Sequence, residues 1–413
     1  MSEFEMRPGG GVTAPSGFKA AASSCGLRSS GEGLDVAIVA SDSDCAAAGV
    51  FTQNLVAAAP VVLDRETLAH NSARIRAVVA NAGIANACTG EPGMDDARLM
   101  QAKGAEALGC LSDQVLVLST GVIGVRIDMS RLNKGIAAAG AKLSVDGGEA
   151  AAEAILTTDT RSKTATARVP RGADSGAAFV TIGGMAKGSG MIHPDMATML
   201  AVITTDAAIA PGDLRRLLSP TVERTFNRIS VDGDTSTNDT VLLLANGAAG
   251  PLANEAARQQ FARALEEVCG YLAREIVRDG EGAEHFISIT VTGAESEEEA
   301  ARVGRVIATS PLVKTAFAGG DPNWGRILAA AGRAGVPLDP SRLMLAISSA
   351  GGDWLRLVES GLPNDYEEAE AARIFAAEEL GVRLDLGRGE SEATVWTSDL
   401  THGYITINAD YRT

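Results

Sequence analysis

Residues 254–291 read NEAARQQFARALEEVCGYLAREIVRDGEGAEHFISITV. Phe261, Leu265, Val268, Cys269, Leu272 and Ile276 recur at spacings of three and four, the stripe of an amphipathic helix, and Asp279-Gly280 stops it. Immediately beyond, Ile287, Ile289 and Val291 alternate with Ser288 and Thr290, the period of two expected of a half-buried strand. A helix that runs into a strand, in a chain where such pieces alternate in mixed order, predicts α/β (α+β) architecture with layered sheets and helices.

Working outward, Val115–Leu118 is a short apolar run ending in Ser-Thr-Gly, which fits a buried strand entering a turn. Further strands are expected at Leu343–Ile347, Val382–Leu386, Ala393–Thr397 and Tyr404–Asn408, with a helix from about Asp365 to Leu380. No internal repeat and no Pro- or Ser-rich linker divides the chain, and the first fifteen or so residues read as disordered.

The chain has 413 residues, 46 % of them hydrophobic but only 4 % aromatic, so its core is built from small and aliphatic side chains in close contact. A net charge of −16 argues against nucleic acid or an anionic membrane, which attract clustered Lys and Arg, and leaves small charged metabolites as partners. The N-terminal segment lacks the basic and apolar regions of a secretory signal, and no run reaches the roughly 18 apolar residues of a membrane span. The five cysteines are scattered, with neither C-x-x-C nor metal-ligand spacing, as expected of reduced thiols in a cytoplasm. No metal is expected.

Several familiar chemistries fail on their motifs. A phosphate loop needs Gly-Lys-Ser/Thr, and no Gly-Lys dipeptide occurs among the 46 glycines. Gly121 and Gly124 form G-x-x-G without the third glycine of a dinucleotide fingerprint. The segment VDGDTSTNDT at 231–240 resembles a calcium loop, but its sixth position is Thr237 instead of Gly and its twelfth is Leu243 instead of Glu. It reads as a hydrogen-bonded turn. The four histidines are far apart in sequence, and His193 reads as a turn residue before Pro194.

The run GMIHPDMATMLAVITTD at 190–206 sets a different problem, because it places Ala197-Thr198 in apolar surroundings. A buried Thr ordinarily bonds to backbone. A Thr can instead serve as a nucleophile without histidine if the bond before it is cut, since its own α-amine, with an ordinary pKa of about 7.7–8.0, can then take the hydroxyl proton. Ala197 is small, as the residue before such a cut should be, and Lys187-Gly188-Ser189-Gly190 supplies flexible backbone upstream.

The surrounding wording decides between these readings. AKGSGMIHPDMATML at 186–200 resembles the self-cleavage region of the ornithine acetyltransferases, the bifunctional glutamate N-acetyltransferase family of arginine biosynthesis. NAGIANACTG (81–90), STGVIG (119–124), LTTDT (156–160), DGDTSTNDT (232–240), DGEGA (279–283), SPLVKTA (310–316), GGDPNWGRI (319–327) and the terminal NADYRT resemble other family segments in the same order.

The resemblance implies a cut between Ala197 and Thr198, giving an α chain, 1–197, and a β chain, 198–413, joined in a cytoplasmic α2β2 heterotetramer. Thr198 would take acetyl from N-acetylornithine and pass it to glutamate in a ping-pong reaction. Thr120 and Gly121 would form the oxyanion site, where the residues alone read as a strand-end turn. Thr158, Lys187, Thr198, Glu281, Asn408 and Thr413 would contact substrate, with Lys187 meeting a carboxylate and Glu281 an ammonium. Thr157 is the alternative to Thr158 if the register slips by one, and Glu281 alone reads as a charge after a helix end.

No cofactor is implied, although acetyl-CoA remains open as a second donor. The implied fold is a layered αββα sandwich, similar to the N-terminal-nucleophile enzymes, with a smaller C-terminal α/β region. Asp195 departs from the Asn often found in the family motif. Two rival functions are an N-terminal-Thr amidohydrolase or aminopeptidase, which water would distinguish as acceptor, and an uncut binding or scaffold protein.

Overall fold

The strand Val36–Phe51, VAIVASDSDCAAAGVF, organises the larger part of the molecule. Its small and β-branched side chains suit close pairing on a pleated surface. The computed structural model describes residues 4–28, 31–172, 178–193 and 199–410. In it the register of this strand shifts between Ala40 and Cys45. Before the shift it pairs antiparallel with Phe18–Ser23 and Ile75–Ile84, and beyond it Cys45 still meets Ile75 while Ala46–Phe51 pair with Thr240–Gly250. One strand therefore belongs to two halves of a nine-stranded array.

The first half continues from Ile75–Ile84 to Val115–Val122 in parallel pairing. The second continues from Thr240–Gly250 through Leu200–Ala207, Phe179–Lys187 and Lys163–Pro170 to Glu5–Pro8. Alternate residues of the strands separate the layers. Val78, Ala80, Leu116 and Leu118 join Met185, Leu200, Val202, Leu242 and Leu244 in one apolar layer, so the two halves pack face to face. Val79, Ala77, Val115 and Val117 point the other way, onto Met100 of Gly90–Leu108 and Leu132 and Ile136 of Met129–Gly140. Ile182, Ile203 and Leu243 face Leu218 of Pro211–Arg224 and Leu265, Val268 and Leu272 of Glu255–Arg278. The order is helix, sheet, sheet, helix, the αββα sandwich expected.

A second sheet of seven strands includes Phe286–Ala294, Met344–Ser349, Glu379–Asp385 and Ser391–Ser398, and it has its own apolar core with Glu297–Ala308, Pro311–Ala318 and Glu368–Phe375. This is the smaller C-terminal α/β region. The decisive helix runs Glu255–Arg278, with the Asn254 side chain accepting from the Ala257 amide at its start.

Three local expectations are corrected. Glu5–Pro8 pairs antiparallel with Ala165–Arg168, and Val12 is fully buried, so the ordered chain begins well before residue 15. The helix expected at 365–380 is only Glu368–Phe375, because Glu379 already pairs with Phe286. Tyr404–Asn408, expected as a strand, lies in the helix His402–Asp410. Its alternating Ile and Thr imitate a strand, but no sheet edge receives it. Thr406 Oγ1 instead donates to the His402 carbonyl, and the Tyr404 hydroxyl donates to Asp232 at 3.2 Å. No helix among the described residues is long and apolar enough to cross a membrane.

Candidate active site

The pocket opens where strand ends, turns and the terminal helix meet from parts of the chain remote in sequence. Thr120 and Gly121 end the apolar run of Val115–Val122. Ser119 Oγ donates to Asn81 Oδ1 at 2.6 Å, and Asn81 Nδ2 donates to the Ile84 carbonyl at 2.9 Å, which ties this end to the parallel strand beside it. There Gly121, at φ 131°, lies directly against Gly83, at φ 101°. A side chain on Gly121 would meet the Gly83 backbone, so the close approach requires glycine.

Lys187 is the last residue of Phe179–Lys187 and its side chain is 3 % exposed. Its Nζ donates to Thr157 Oγ1 at 2.7 Å and to Thr120 Oγ1 at 3.4 Å. Thr158 Oγ1 shares a hydrogen with Ser189 Oγ at 2.7 Å. On the far wall, Glu281 follows the end of Glu255–Arg278, its amide donating to the Ser189 carbonyl at 2.9 Å. Gly190 has no side chain where the Glu281 carboxyl packs. Asn408 reaches in from the terminal helix, with Nδ2 donating to Glu281 Oε2 at 2.7 Å.

Thr120, Gly121, Thr158, Lys187, Glu281 and Asn408, separate in sequence, therefore line one cavity, and Thr157 lines it too. Ala197, Thr198 and Thr413, together with Asp195, lie outside the described residues. The chain on either side of 194–198 is anchored. Asp232 accepts from the amides of Met191 and Ile192, and Asp239 Oδ1 accepts from the Met199 amide at 2.9 Å. His193 faces Ser230 Oγ at 3.2 Å.

The electrostatics follow from burial. Desolvation pulls the Lys187 ammonium below the ordinary lysine range, opposed by Asp159, Glu281 and Asp239 and assisted by Lys163. Burial alone would raise the Asp159 carboxyl, but Lys187 and Lys163 outweigh it and hold Asp159 well below the usual range. Asp239 is pushed well above it by burial, against the Met199 amide and Lys187. Among the described residues the pocket thus offers one cation, Lys187, and one separate carboxylate, Glu281, which suits a zwitterionic small molecule. Among the described residues no group of His, Cys, Asp and Glu is arranged to hold a metal ion.

Residues 19–413 match the ArgJ family. The chain belongs to the ArgJ family. This is the ornithine acetyltransferase family of arginine biosynthesis whose motifs the sequence resembles, and the chain is an acetyltransferase of that class. It is 51 % identical over 408 residues to the Arginine biosynthesis bifunctional protein ArgJ of Symbiobacterium thermophilum, covering 98 % of this chain and 99 % of the relative. The ArgJ protein of Parasynechococcus marenigrum is 46 % identical over 404 residues, covering 98 % of this chain and 96 % of the relative. The crystal structure of the Bacillus halodurans ArgJ protein shares 39 % identity, covers 51 % of this chain and 98 % of its own, and superposes with a TM-score of 0.48.

Motif reading missed part of this ArgJ-family pocket. Ser236, Thr237 and Asn238 line it, although the spacing in VDGDTSTNDT predicts only a hydrogen-bonded turn. The turn is real and serves the site. Asn238 Nδ2 donates to the carbonyls of Ala85 and Ser119 at 2.7 and 2.8 Å, and Thr52 Oγ1 donates to the Ser236 carbonyl at 2.7 Å. A signal was present in the density of amide and hydroxyl side chains beside buried strands, but their partners lie over 100 residues away.

Proposed function

We propose that the chain cuts itself between Ala197 and Thr198 and that the freed Thr198 carries acetyl from N-acetylornithine to glutamate. The observation that carries this reading is the convergence of Thr120, Gly121, Lys187, Glu281 and Asn408 on one pocket. Asp239, which anchors the residue following Thr198, adjoins the pocket-lining Asn238.

In the maturation step the Thr198 hydroxyl attacks the Ala197 carbonyl. The peptide C–N bond breaks to give an ester and a free α-amine, and water opens the ester. In turnover the α-amine takes the hydroxyl proton as Oγ attacks the acetyl carbonyl. Thr120 and Gly121 donate to the developing oxyanion. Lys187 donates to Thr120 Oγ1, so the Thr120 hydroxyl proton is free to point into the pocket. The acetyl C–N bond then breaks, the leaving amine takes the proton, and ornithine departs. The glutamate amine attacks the acetyl ester and restores Thr198. Lys187 holds a substrate carboxylate and Glu281 an ammonium, with Thr158, Asn408 and Thr413 completing the contacts.

The products of the cut, 1–197 and 198–413, stay together as an α2β2 enzyme acting in the cytoplasm. Acetyl-CoA serves as a second donor at the same Thr198. Intact mass of the denatured protein tests the first step: two fragments, the second beginning Thr-Met-Leu-Ala, with a Thr198→Ala variant uncut, are expected. A single wild-type chain refutes the mechanism. Release of free acetate in place of N-acetylglutamate would instead make the enzyme an amidohydrolase, and failure to acetylate glutamate from acetyl-CoA would remove the second donor.

A further inference from the structure

Behind the pocket lies a buried row of alternating charges of which the proposed chemistry uses only Lys187. Asp279 Oδ2 meets Lys163 Nζ at 2.5 Å, Lys163 Nζ meets Asp159 Oδ1 at 2.7 Å, and Asp159 Oδ2 lies 3.8 Å from Lys187 Nζ. All four side chains are at most 3 % exposed. A charge removed from water this completely persists only with matched partners. The two carboxylates and two ammonium groups balance one another, and Glu281 is, among the described residues, the carboxylate that lines the pocket outside this row.

Asp159 lies within this row and reaches two pocket segments. Besides the two lysines, it accepts from the Gly188 amide at 2.6 Å through Oδ1 and from the Thr157 amide at 3.1 Å through Oδ2. Gly188, at φ 151°, is the residue next to Lys187. The carboxyl thus fixes both the backbone beside Lys187 and the position of its head group, while holding the loop that carries Thr157 and Thr158. Asp279 extends the frame to the Glu281 wall, because it also accepts from the Thr160 amide at 3.1 Å.

We propose that Asp159, backed by Lys163 and Asp279, is the positioning residue that keeps the Lys187 ammonium charged and aimed at the substrate carboxylate. The proposal rests on the reading that Lys187 binds that carboxylate. Among the described residues the charged groups acting on Lys187 are Asp159, Lys163, Glu281 and Asp239, with burial opposing its charge. Removing Asp159 removes the nearest opposing charge, so Lys187 should lose its proton at lower pH. An opposite charge at this range is worth about one to three pH units.

The test follows kcat/KM for N-acetylornithine between pH 5.5 and 10, with glutamate as acceptor, in the processed wild type, Asp159→Asn, Asp279→Asn and Lys187→Met. This donor has no group of its own titrating near neutrality. In Asp159→Asn the loss of kcat/KM at alkaline pH should begin roughly one to three units lower than in the wild type, carried by KM, with values approaching the wild type at acid pH. In Asp279→Asn, where Lys163 is left to Asp159 alone, the same limb should move in the same direction by less. A merely structural role would instead lower kcat/KM by one factor at every pH.

An unmoved alkaline limb in Asp159→Asn overturns the proposal. If that variant does not fold or mature, an unmoved limb in Asp279→Asn overturns it and a lowered one supports it. If Lys187→Met leaves KM unchanged, the substrate reading of Lys187 fails and the proposal falls with it. A raised KM in Lys187→Met together with unmoved limbs sinks the proposal alone.

Discussion

Gly121→Ala tests the oxyanion assignment and the packing argument together. Gly121 has φ 131° and faces Gly83, at φ 101°, in the parallel strand beside it. A Cβ there would run into the Gly83 carbonyl and the Ile84 amide nitrogen, and because these are backbone atoms no rotamer change relieves the overlap. Holding a side chain at such a φ costs about 1–3 kcal/mol, and forcing a methyl into filled space adds about 1–3 kcal/mol. The sum predicts a loss of roughly 2–6 kcal/mol of folding stability.

The same overlap must push the strand ends apart and carry Thr120 with them. A misplacement on the order of 1 Å costs about 100-fold in rate, and an oxyanion donor is worth about 100- to 1,000-fold. Gly124→Ala is the matched control. Its φ is 79°, but no atom lies within 4 Å of the added methyl, so only backbone strain of about 1–2 kcal/mol applies. The assay combines denaturant unfolding, the time course of precursor cleavage, and acetyl transfer from N-acetylornithine to glutamate. The reasoning is refuted if Gly121→Ala unfolds with the wild type and transfers acetyl at the wild-type rate, or if Gly124→Ala is equally impaired.

Glu281→Gln removes the carboxylate charge from the pocket wall while keeping an acceptor for Asn408, so KM for N-acetylornithine should rise about 10- to 100-fold, the worth of one charge-assisted contact; steady-state kinetics showing an unchanged KM would exclude Glu281 from ammonium recognition. Burial pulls the Lys314 ammonium down to about 8, with Asp399 and Asp232 opposing. An unfolded lysine titrates near 10.4, so between these values the unfolded chain holds a proton that the folded chain releases, and stability from this site rises with pH. The cost of the buried charge is fully present below the folded value. Relative to Lys314→Met, wild-type stability should therefore gain roughly 3 kcal/mol across that window, and a difference independent of pH in denaturant titrations would contradict it.

What could be read without the structure was local or lexical. The helix Glu255–Arg278 and the strand Phe286–Ala294 declared themselves because burial of one face writes a period into consecutive residues, and that period survives in one dimension. The motifs named Thr120, Gly121, Thr158, Lys187, Glu281 and Asn408, all of which the fold brings to one cavity. The pattern at 404–408 misled because an exposed segment carries no burial period, so its Ile and Thr reported propensity alone.

The amino-acid order by itself determined the family, the layered class and the identity of six pocket residues, since each is encoded in neighbours along the chain. Tertiary structure alone decided that Asn408 enters the pocket on a helix, that Asn238 joins strands remote in sequence, and that Asp159 lies sealed between two lysines. The charge and hydrogen bonding of a buried group depend on what surrounds it in space, and those surroundings come from segments that no local spacing connects.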